Sequence, residues 1–235
     1  MNAIVFGASG GIGRALTEQL VRAGNYEAVF AASRTDPVID GARYLNVDIL
    51  SDDSLATVGA AVKAVGPLML CVVATGFLSD DDVGPEKSYR HQTLAAFNHV
   101  FAMNTFAPGL IAKHMLPLFA RDARGVFAAL SARVGSISDN RMGGWHAYRA
   151  SKAALNMLIR NYAIEQARRN ENFISVALHP GTVETVLSQP FQANVPDKQL
   201  FSADQSAAYL LSVIDGLRPE DTGKIFDWAG KEIAP

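Results

Sequence analysis

The chain has 235 residues, of which 49% are hydrophobic, and its 21 basic and 23 acidic side chains give a formal net charge of -2. This length and composition suffice for one sizeable core, so we expect a single domain over residues 1–235. Because the basic residues are scattered rather than clustered, neither nucleic acid nor an anionic membrane surface is an expected partner.

The remaining composition favours a soluble cytoplasmic protein. The one cysteine, Cys71, lies in an apolar run and is interpreted as a small buried hydrophobe, since it has no internal disulfide partner. A strand-like start leaves no room for a signal peptide, and no apolar run approaches the roughly 18 residues of a membrane span. No histidine or cysteine cluster predicts a metal site, and the adjacent acids Asp80-Asp81-Asp82 are typical of a solvated surface.

The first motif is a short apolar run, residues 3–6, followed at once by Gly7-Ala8-Ser9-Gly10-Gly11-Ile12-Gly13. Apolar residues then recur at helical spacing over residues 14–23, so the pattern predicts a strand, a glycine turn and a helix. Such glycines let backbone N–H groups approach a pyrophosphate at the positive end of the helix dipole. This context favours a dinucleotide site over an ordinary glycine loop.

The second predicted strand, residues 26–32, is followed by Ser33 and Arg34. About 20 residues past the glycines, an NAD site carries an acid for the ribose 2′-hydroxyl, whereas an arginine accommodates the 2′-phosphate of NADP. The acid is absent here, and a guanidinium that can fork onto a phosphate is present. We therefore expect NADP(H) in preference to NAD(H). Arg14 is either a second phosphate contact or a solvated helix residue.

Two further predicted strands, residues 44–48 and 68–74, flank a helix that Ser51 caps. Asp48 either accepts a hydrogen bond from the adenine amino group or simply ends its strand. The later strand is fully apolar, as central parallel strands are, and leads into a turn at Thr75-Gly76-Phe77 on the ligand edge. Residues 77–90 are typical of an exposed loop.

A long helical pattern over residues 93–120 is interrupted by Pro108. Since proline has no N–H, the carbonyl of Asn104 loses its helical partner, and we expect a kink there. Either that carbonyl holds a water that relays protons toward Lys152, or the helix only bends to follow the sheet.

The fifth predicted strand, residues 126–130, ends at Ser131. A serine at that place either donates to a substrate oxygen or only terminates the strand. After a loop over residues 137–146, Tyr148 and Lys152 stand four positions apart on a helix that runs to residue 169. Positions i and i+4 share one face, so the ammonium can reach beneath the phenol ring. A cation there favours the phenolate and lowers the phenol pKa, which predicts an acid/base pair.

The last third of the chain begins with a sixth strand, residues 173–178, and the turn His179-Pro180-Gly181. His179 is interpreted as a loop residue with satisfied hydrogen bonds rather than as a catalytic group. Residues 182–200 contain two prolines and suit a substrate-covering lid over an apolar pocket. A capping box at Ser202 starts the last helix, and residues 224–228 form a final strand.

Together these motifs resemble the short-chain dehydrogenase/reductase family across nearly the whole chain, and most of all its small carbonyl-reductase and C-factor-like members. The resemblance implies a doubly wound α/β fold of the Rossmann type, with a mostly parallel sheet and helices on both faces. It implies that Tyr148 gives a proton to a carbonyl oxygen, that Lys152 holds the nicotinamide ribose and that Asn104 orders a relay water. The residues expected to contact the cofactor are Gly7, Ser9, Gly11, Ile12, Gly13, Ser33, Arg34, Asp48, Ala74, Gly76, Tyr148, Lys152, Pro180, Gly181, Val183 and Thr185.

Two departures from the family pattern bear on catalysis. The usual serine position is Ala132, so we assign the polarising role to Ser131, with Ser136 as the alternative. The backbone must turn at Ser131 for that assignment to hold, because neighbouring strand residues point to opposite faces. The usual Asn-Asn-Ala-Gly after the fourth strand is Val73-Ala74-Thr75-Gly76, which removes side-chain hydrogen bonds from that turn.

The sequence therefore predicts an NADPH-dependent reductase of an aldehyde, ketone or quinone. The alternative is an NADP(H)-binding signalling or regulatory protein with little turnover, which Ala132 and the C-factor resemblance favour. A sugar-nucleotide epimerase would need a longer segment after Pro180. We also expect a homodimer or homotetramer, because the helices over residues 93–120 and 148–169 are more apolar than one sheet surface requires and family members commonly pair through them.

Overall fold

Within the residues that the computed structural model describes, 1–185, 188–189 and 200–235, ten strands and six α-helices occur. The strands are β1 (Asn2–Phe6), β2 (Ala28–Ser33), β3 (Arg43–Asn46), β4 (Leu68–Val73), β5 (Gly125–Leu130), β6 (Phe173–His179), β7 (Thr182–Val183), β8 (Leu200–Phe201), β9 (Ile225–Asp227) and β10 (Glu232–Ile233). The helices are α1 (Gly11–Ala23), α2 (Asp52–Val65), α3 (Leu94–Phe101), α4 (Ala107–Met115), α5 (His146–Ala167) and α6 (Ala203–Gly216).

Eight of these strands form one sheet in the order β10-β9-β6-β5-β4-β1-β2-β3, and β7 and β8 form a separate parallel pair. Every pairing in the large sheet is parallel except that of β10 with β9. The strand order reverses at β1, which has β2 on one side and β4 on the other. Ligands of open α/β sheets bind outside the carboxyl ends of the strands at such a reversal of strand order. The predicted fold class is confirmed.

The core has two halves because alternate strand residues face opposite sides of the sheet. Phe6 belongs to a buried cluster that includes Leu155 of α5, whereas Val5 belongs to a cluster on the other face with Leu16 of α1 and Leu210 of α6. Burial on both faces explains why the central strands are almost continuously apolar. Cys71 is fully buried in β4, as predicted.

The predicted interruption at Asn104 is confirmed and takes the form of a π-turn, Ala102–Phe106, between α3 and α4. There the N–H of Ala107 donates to the carbonyl of Ala102, five residues back. Pro108 lies in the first turn of α4, and because it has no N–H it cannot bond to the Asn104 carbonyl four residues back.

The predicted caps at Ser51 and Ser202 are also confirmed. The Ser51 hydroxyl accepts from the Ser54 N–H, and Ser202 forms a capping box with Gln205. The prediction missed β10, since two residues are too few to show an alternating pattern. The predicted lid over 182–200 falls mostly outside the described residues; β7 and β8, at its two ends, pair with each other.

Candidate active site

A cleft of about 660 Å³ lies at the carboxyl edge of the sheet, beside the reversal between β1 and β4. This volume falls within the range of about 300–1,000 Å³ that is usual for ligand and cofactor sites. The predicted site residues that line it are Gly7, Ser9, Gly11, Ile12, Gly13, Ser33, Arg34, Asp48, Ala74, Gly76, Ser131, Tyr148, Lys152, Pro180 and Thr185. The cleft thus joins the glycine turn to the tyrosine–lysine pair.

The glycine turn packs the start of α1 directly against the end of β1. Gly7 has a left-handed φ of 85°, and the N–H of Gly10 donates to its carbonyl at 3.0 Å. A Cβ on Gly13 would lie 2.1 Å from the Gly7 carbonyl oxygen, so only glycine fits there. Because α1 has neither a side-chain cap nor an acid in its first turn, its N-terminal N–H groups suit an anion such as a phosphate.

Arg34 lies at the rim of the cleft, just after β2. Its side chain is exposed, and its backbone carbonyl accepts a hydrogen bond from the Asn46 side chain at 2.9 Å. The neighbouring Ser33 hydroxyl donates to the Thr35 carbonyl at 2.7 Å, which fixes the loop. No ion pair within the described part of the chain engages the Arg34 guanidinium, so it can bind an anion at the cleft.

Arg14 does not share this position. Its guanidinium donates to the Pro37 carbonyl at 2.6 Å and pairs with Glu18 at 2.8 Å, and it is not among the residues that line the cleft. These contacts favour the interpretation of Arg14 as a helix-surface residue. Asp48 does line the cleft, two residues after β3, and its carboxylate accepts from the Leu50 N–H at 3.0 Å.

Tyr148 and Lys152 meet on one face of α5, as their spacing predicts. The Lys152 ammonium lies 5.8 Å from the centre of the Tyr148 ring and donates to the Leu130 carbonyl at 2.9 Å. Burial lowers the pKa of Lys152 to about 8. Burial also raises the pKa of Tyr148 to about 12, opposite to the direction expected from the sequence. The positive charge of the lysine favours the phenolate, but the loss of water around the buried phenol disfavours it more.

Asn104 connects three parts of the site through its side chain. Its amide donates to the Phe77 carbonyl at 2.8 Å and to the Ser151 hydroxyl at 3.2 Å, and its side-chain oxygen accepts from the Phe77 N–H at 2.8 Å. The Ser151 hydroxyl donates in turn to the Tyr148 carbonyl at 2.8 Å. Asn104 is fully buried behind the cleft rather than part of its wall.

The two candidate serines differ in position. Ser131 lines the cleft, and its hydroxyl donates to the side-chain oxygen of Asn156 at 2.7 Å. Ser136 is buried behind a turn, where its hydroxyl accepts from the Asp139 N–H at 3.1 Å, and it is not among the cleft residues. Asn156, one helical turn beyond Lys152, was missed because nothing local in the sequence marks an α5 asparagine as the partner of a strand-ending serine.

The turn after β6 contributes unevenly. Pro180 and Thr185 line the cleft, whereas Gly181 and the buried Val183 are not among its lining residues. Gly181 has a φ of 79°, and a Cβ there would lie 2.7 Å from the Phe201 ring. These two cofactor contacts stay predictions.

His179 differs from its interpretation as a satisfied loop residue. It is the last residue of β6, and its buried Nδ1 has no hydrogen-bond partner among the described residues. Burial, together with the positive charge of Arg133, lowers its pKa to about 4. The histidine is therefore neutral near pH 7, and it is not among the residues that line the cleft.

Thr75, which the sequence places in a turn at the ligand edge without a role in binding, is a cleft residue. Its side-chain oxygen is buried and has no partner among the described residues, and the residue lines the cleft. An unpaired buried hydroxyl is costly unless a ligand satisfies it. The hydroxyl, the glycine turn and the guanidinium of Arg34 are thus three groups at one cleft that can bind a polar or anionic ligand.

The described residues contain no group of three or more His, Cys, Asp or Glu side chains arranged to hold a metal ion. No helix among them is long and apolar enough to cross a membrane.

Fold and cleft together define an α/β protein of the Rossmann type, with a glycine turn and a tyrosine–lysine pair at one edge of the sheet. A model of the short chain dehydrogenase family matches residues 1–196. The chain belongs to that family of oxidoreductases.

Individual relatives agree with this assignment. The chain is 40% identical to C-signal of Myxococcus xanthus over 133 residues, 57% of this chain and 75% of that protein. It is 30% identical to a 1-hydroxy-2-glutathionyl-2-methyl-3-butene dehydrogenase of Rhodococcus sp. (strain AD45) over 226 residues, 94% of this chain and 93% of that protein. Its structure is similar to that of an NADPH-bound carbonyl reductase from chicken fatty liver, with a TM-score of 0.85, 27% identity and coverage of 100% of this chain and 98% of that one.

Proposed function

We propose that this protein reduces a carbonyl group of an aldehyde, ketone or quinone to an alcohol with NADPH. The observation that carries this proposal is the single cleft that joins the glycine turn and Arg34 to Tyr148 and Lys152. A nicotinamide cofactor, when bound, supplies the hydride that the substrate carbon accepts.

The residues of the chain supply the proton and hold the reactants. With its pKa raised to about 12, Tyr148 is fully protonated at neutral pH and can donate to the oxygen of the substrate carbonyl. Lys152, whose ammonium lies beneath the phenol ring, stabilises the negative charge that Tyr148 acquires when it gives up the proton. Ser131 is proposed to donate to the same substrate oxygen, which requires its hydroxyl to rotate away from Asn156.

NADPH is proposed over NADH because of the charge at the rim of the cleft. At the end of β2, Ser33 offers a hydroxyl and the next residue, Arg34, offers a guanidinium, and neither supplies a carboxylate for a ribose hydroxyl. The chicken carbonyl reductase with a similar structure is described as NADPH-bound, which supports the same preference.

The test is the oxidation of NADPH by the purified protein in the presence of a broad panel of aldehydes, ketones and quinones. Tyr148→Phe removes only the hydroxyl and should lower kcat by about 10²-fold or more, the usual contribution of a general acid. Tyr162→Phe, the same change on the same helix outside the cleft, is the matched control and should leave kcat unchanged. Equal rates for wild type and Tyr148→Phe on every substrate would refute the proposal.

A second candidate function is that of an NADP(H)-binding signalling or regulatory protein with little turnover. Two observations favour it: the 40% identity to C-signal and the alanine at position 132, where the family resemblance places a serine. Tight NADPH binding that Tyr148→Phe leaves unchanged, without reduction of any carbonyl, would support this candidate against the reductase.

Self-association through helices α3 to α5 is also proposed. Four large apolar side chains between the start of α3 and the end of α5 are exposed over 46% or more of their surface: Leu94, Phe106, Met157 and Ile164. Burial of such side chains against a second copy would be favourable. Light scattering at micromolar concentration should show a dimer or tetramer, and Met157→Glu should shift it toward the monomer; a wild-type monomer would contradict this.

A further inference from the structure

The helix that carries Tyr148 lacks a cap of its own. Its N-cap residue, Trp145, makes no side-chain capping hydrogen bond, and the first turn of α5 contains no acidic residue. Trp145 also has left-handed backbone angles, with φ 51° and ψ 44°, which are rare for a bulky residue. Such a conformation persists only where neighbouring groups hold it in place.

Glu86, in the loop after β4, supplies those contacts. Both oxygens of its carboxylate accept from the N–H of Ala147, at 3.2 and 3.3 Å, and its backbone carbonyl accepts from the N–H of Trp145 at 2.6 Å. Only 5% of Glu86 is exposed, although the sequence predicted an exposed loop here. A Cβ on Gly144 would lie 3.4 Å from the Glu86 carbonyl oxygen, so the loop and the start of α5 are in close contact.

A carboxylate at this place stabilises the start of the helix in two ways. It accepts from an N–H that has no partner within the helix, and its negative charge lies at the positive end of the helix dipole. Glu86 therefore does for α5 what a capping serine or aspartate usually does from the N-cap position itself.

The same loop is tied to α5 at its other end as well. Phe77, where the loop begins, exchanges two hydrogen bonds with Asn104, whose amide also donates to Ser151. The first two turns of α5 are thus held at Ala147 through Glu86 and at Ser151 through Asn104. Tyr148 lies between these two attachments, and its ring packs against the Trp145 ring at an interplanar angle of 72° with the centres 6.1 Å apart.

We propose that Glu86 is a positioning residue for Tyr148: by capping α5 from a distant loop and holding Trp145 in its left-handed conformation, it fixes where the phenol stands in the cleft. This inference rests on the proposed reductase function, because it concerns the placement of the proposed proton donor. Glu86 does not line the cleft and acts only through α5.

The test combines hydrogen exchange with kinetics on the full-length protein. Glu86→Ala should make the Ala147 amide, which has no helical partner, exchange at least tenfold faster. The same variant should lower kcat by about ten- to a hundredfold, since a misplacement of the reacting group by roughly 1 Å costs about 10²-fold in rate. The dissociation constant of NADPH should stay within about twofold of the wild-type value. Glu86→Gln keeps an acceptor of the same shape and should restore most of kcat and most of the protection. Asp81→Ala removes an exposed carboxylate from the same loop and should change none of these values.

The outcomes separate the inference from the proposed function. An unchanged kcat in Glu86→Ala, or an Ala147 amide that exchanges at the wild-type rate, would overturn the positioning role. If Glu86→Ala does not fold, Glu86→Asp takes its place: its shorter side chain should lower kcat more than Glu86→Gln does, and an equal or smaller loss would overturn the role. If the wild type reduces no carbonyl, the reductase proposal fails, whereas the Ala147 exchange rate still shows whether Glu86 caps α5.

Discussion

Gly13→Ala should destabilise the protein because the glycine turn leaves no room for a methyl group. The new Cβ would lie 2.1 Å from the Gly7 carbonyl oxygen and 2.7 Å from the Gly7 carbonyl carbon, where contacts under 3.0 Å are essentially never found. The end of β1 and the start of α1 would have to separate by about 0.9 Å, the difference between 3.0 and 2.1 Å. Overpacking costs about 3 kcal/mol when backbone must move, and the better helix propensity of alanine returns about 1 kcal/mol. We therefore expect a net loss of about 2 kcal/mol.

Gly59→Ala is the matched control for this prediction. Gly59 lies inside α2, and a Cβ there would meet its nearest atom, the end of the Met115 side chain, at 3.6 Å, an ordinary contact. The same substitution should therefore stabilise the protein by roughly 0.5–1 kcal/mol. Urea unfolding of both variants, with equal slopes, measures the two free energies. A Gly13→Ala variant as stable as Gly59→Ala would refute the packing argument for the glycine turn.

Two further predictions concern charged residues of the cleft. Arg34→Ala should weaken the binding of NADPH by about tenfold or more, because it removes a charge-assisted hydrogen bond to the 2′-phosphate. The binding of NADH should not change. Equal losses of affinity for both cofactors would contradict the proposed preference. Burial lowers the pKa of Lys152 from 10.5 to about 8. Between these two pH values the unfolded chain therefore binds more protons than the folded one, so the free energy of unfolding should rise with pH. The unfolding free energy of wild type relative to Lys152→Met should increase by about 3 kcal/mol from pH 8 to pH 10.5, and a constant difference would contradict the burial of the ammonium.

The sequence predicted those parts of the site that depend on residues close together in the chain. The strand, glycine turn and helix around Gly7 form one local unit, and Tyr148 and Lys152 meet because four residues make about one helical turn. The interruption at Asn104 followed from the missing N–H of Pro108. In each case the physical cause lies within a few residues, so it can be recognised without a structure.

Contacts between distant segments could not be predicted in this way. Glu86 caps a helix that begins 60 residues later, and Ser131 finds its partner 25 residues further on, at Asn156. The raised pKa of Tyr148 likewise depends on how much protein surrounds the phenol once the chain has folded. These properties arise from packing between elements, which hydrophobic periodicity and motif spacing do not encode.

The edges of the sheet bear on the solubility of the chain. Parallel strands as apolar as β1, β4 and β5 would readily pair with other chains if they were exposed, because an edge strand presents unpaired N–H and carbonyl groups. Here these strands lie inside the sheet, and the two edge strands are short. β3 has four residues, among them the exposed Arg43, and β10 has two. The two residues of β10 pair with β9, whose Ile225 and Phe226 are buried, and so shield that strand from edge-to-edge aggregation.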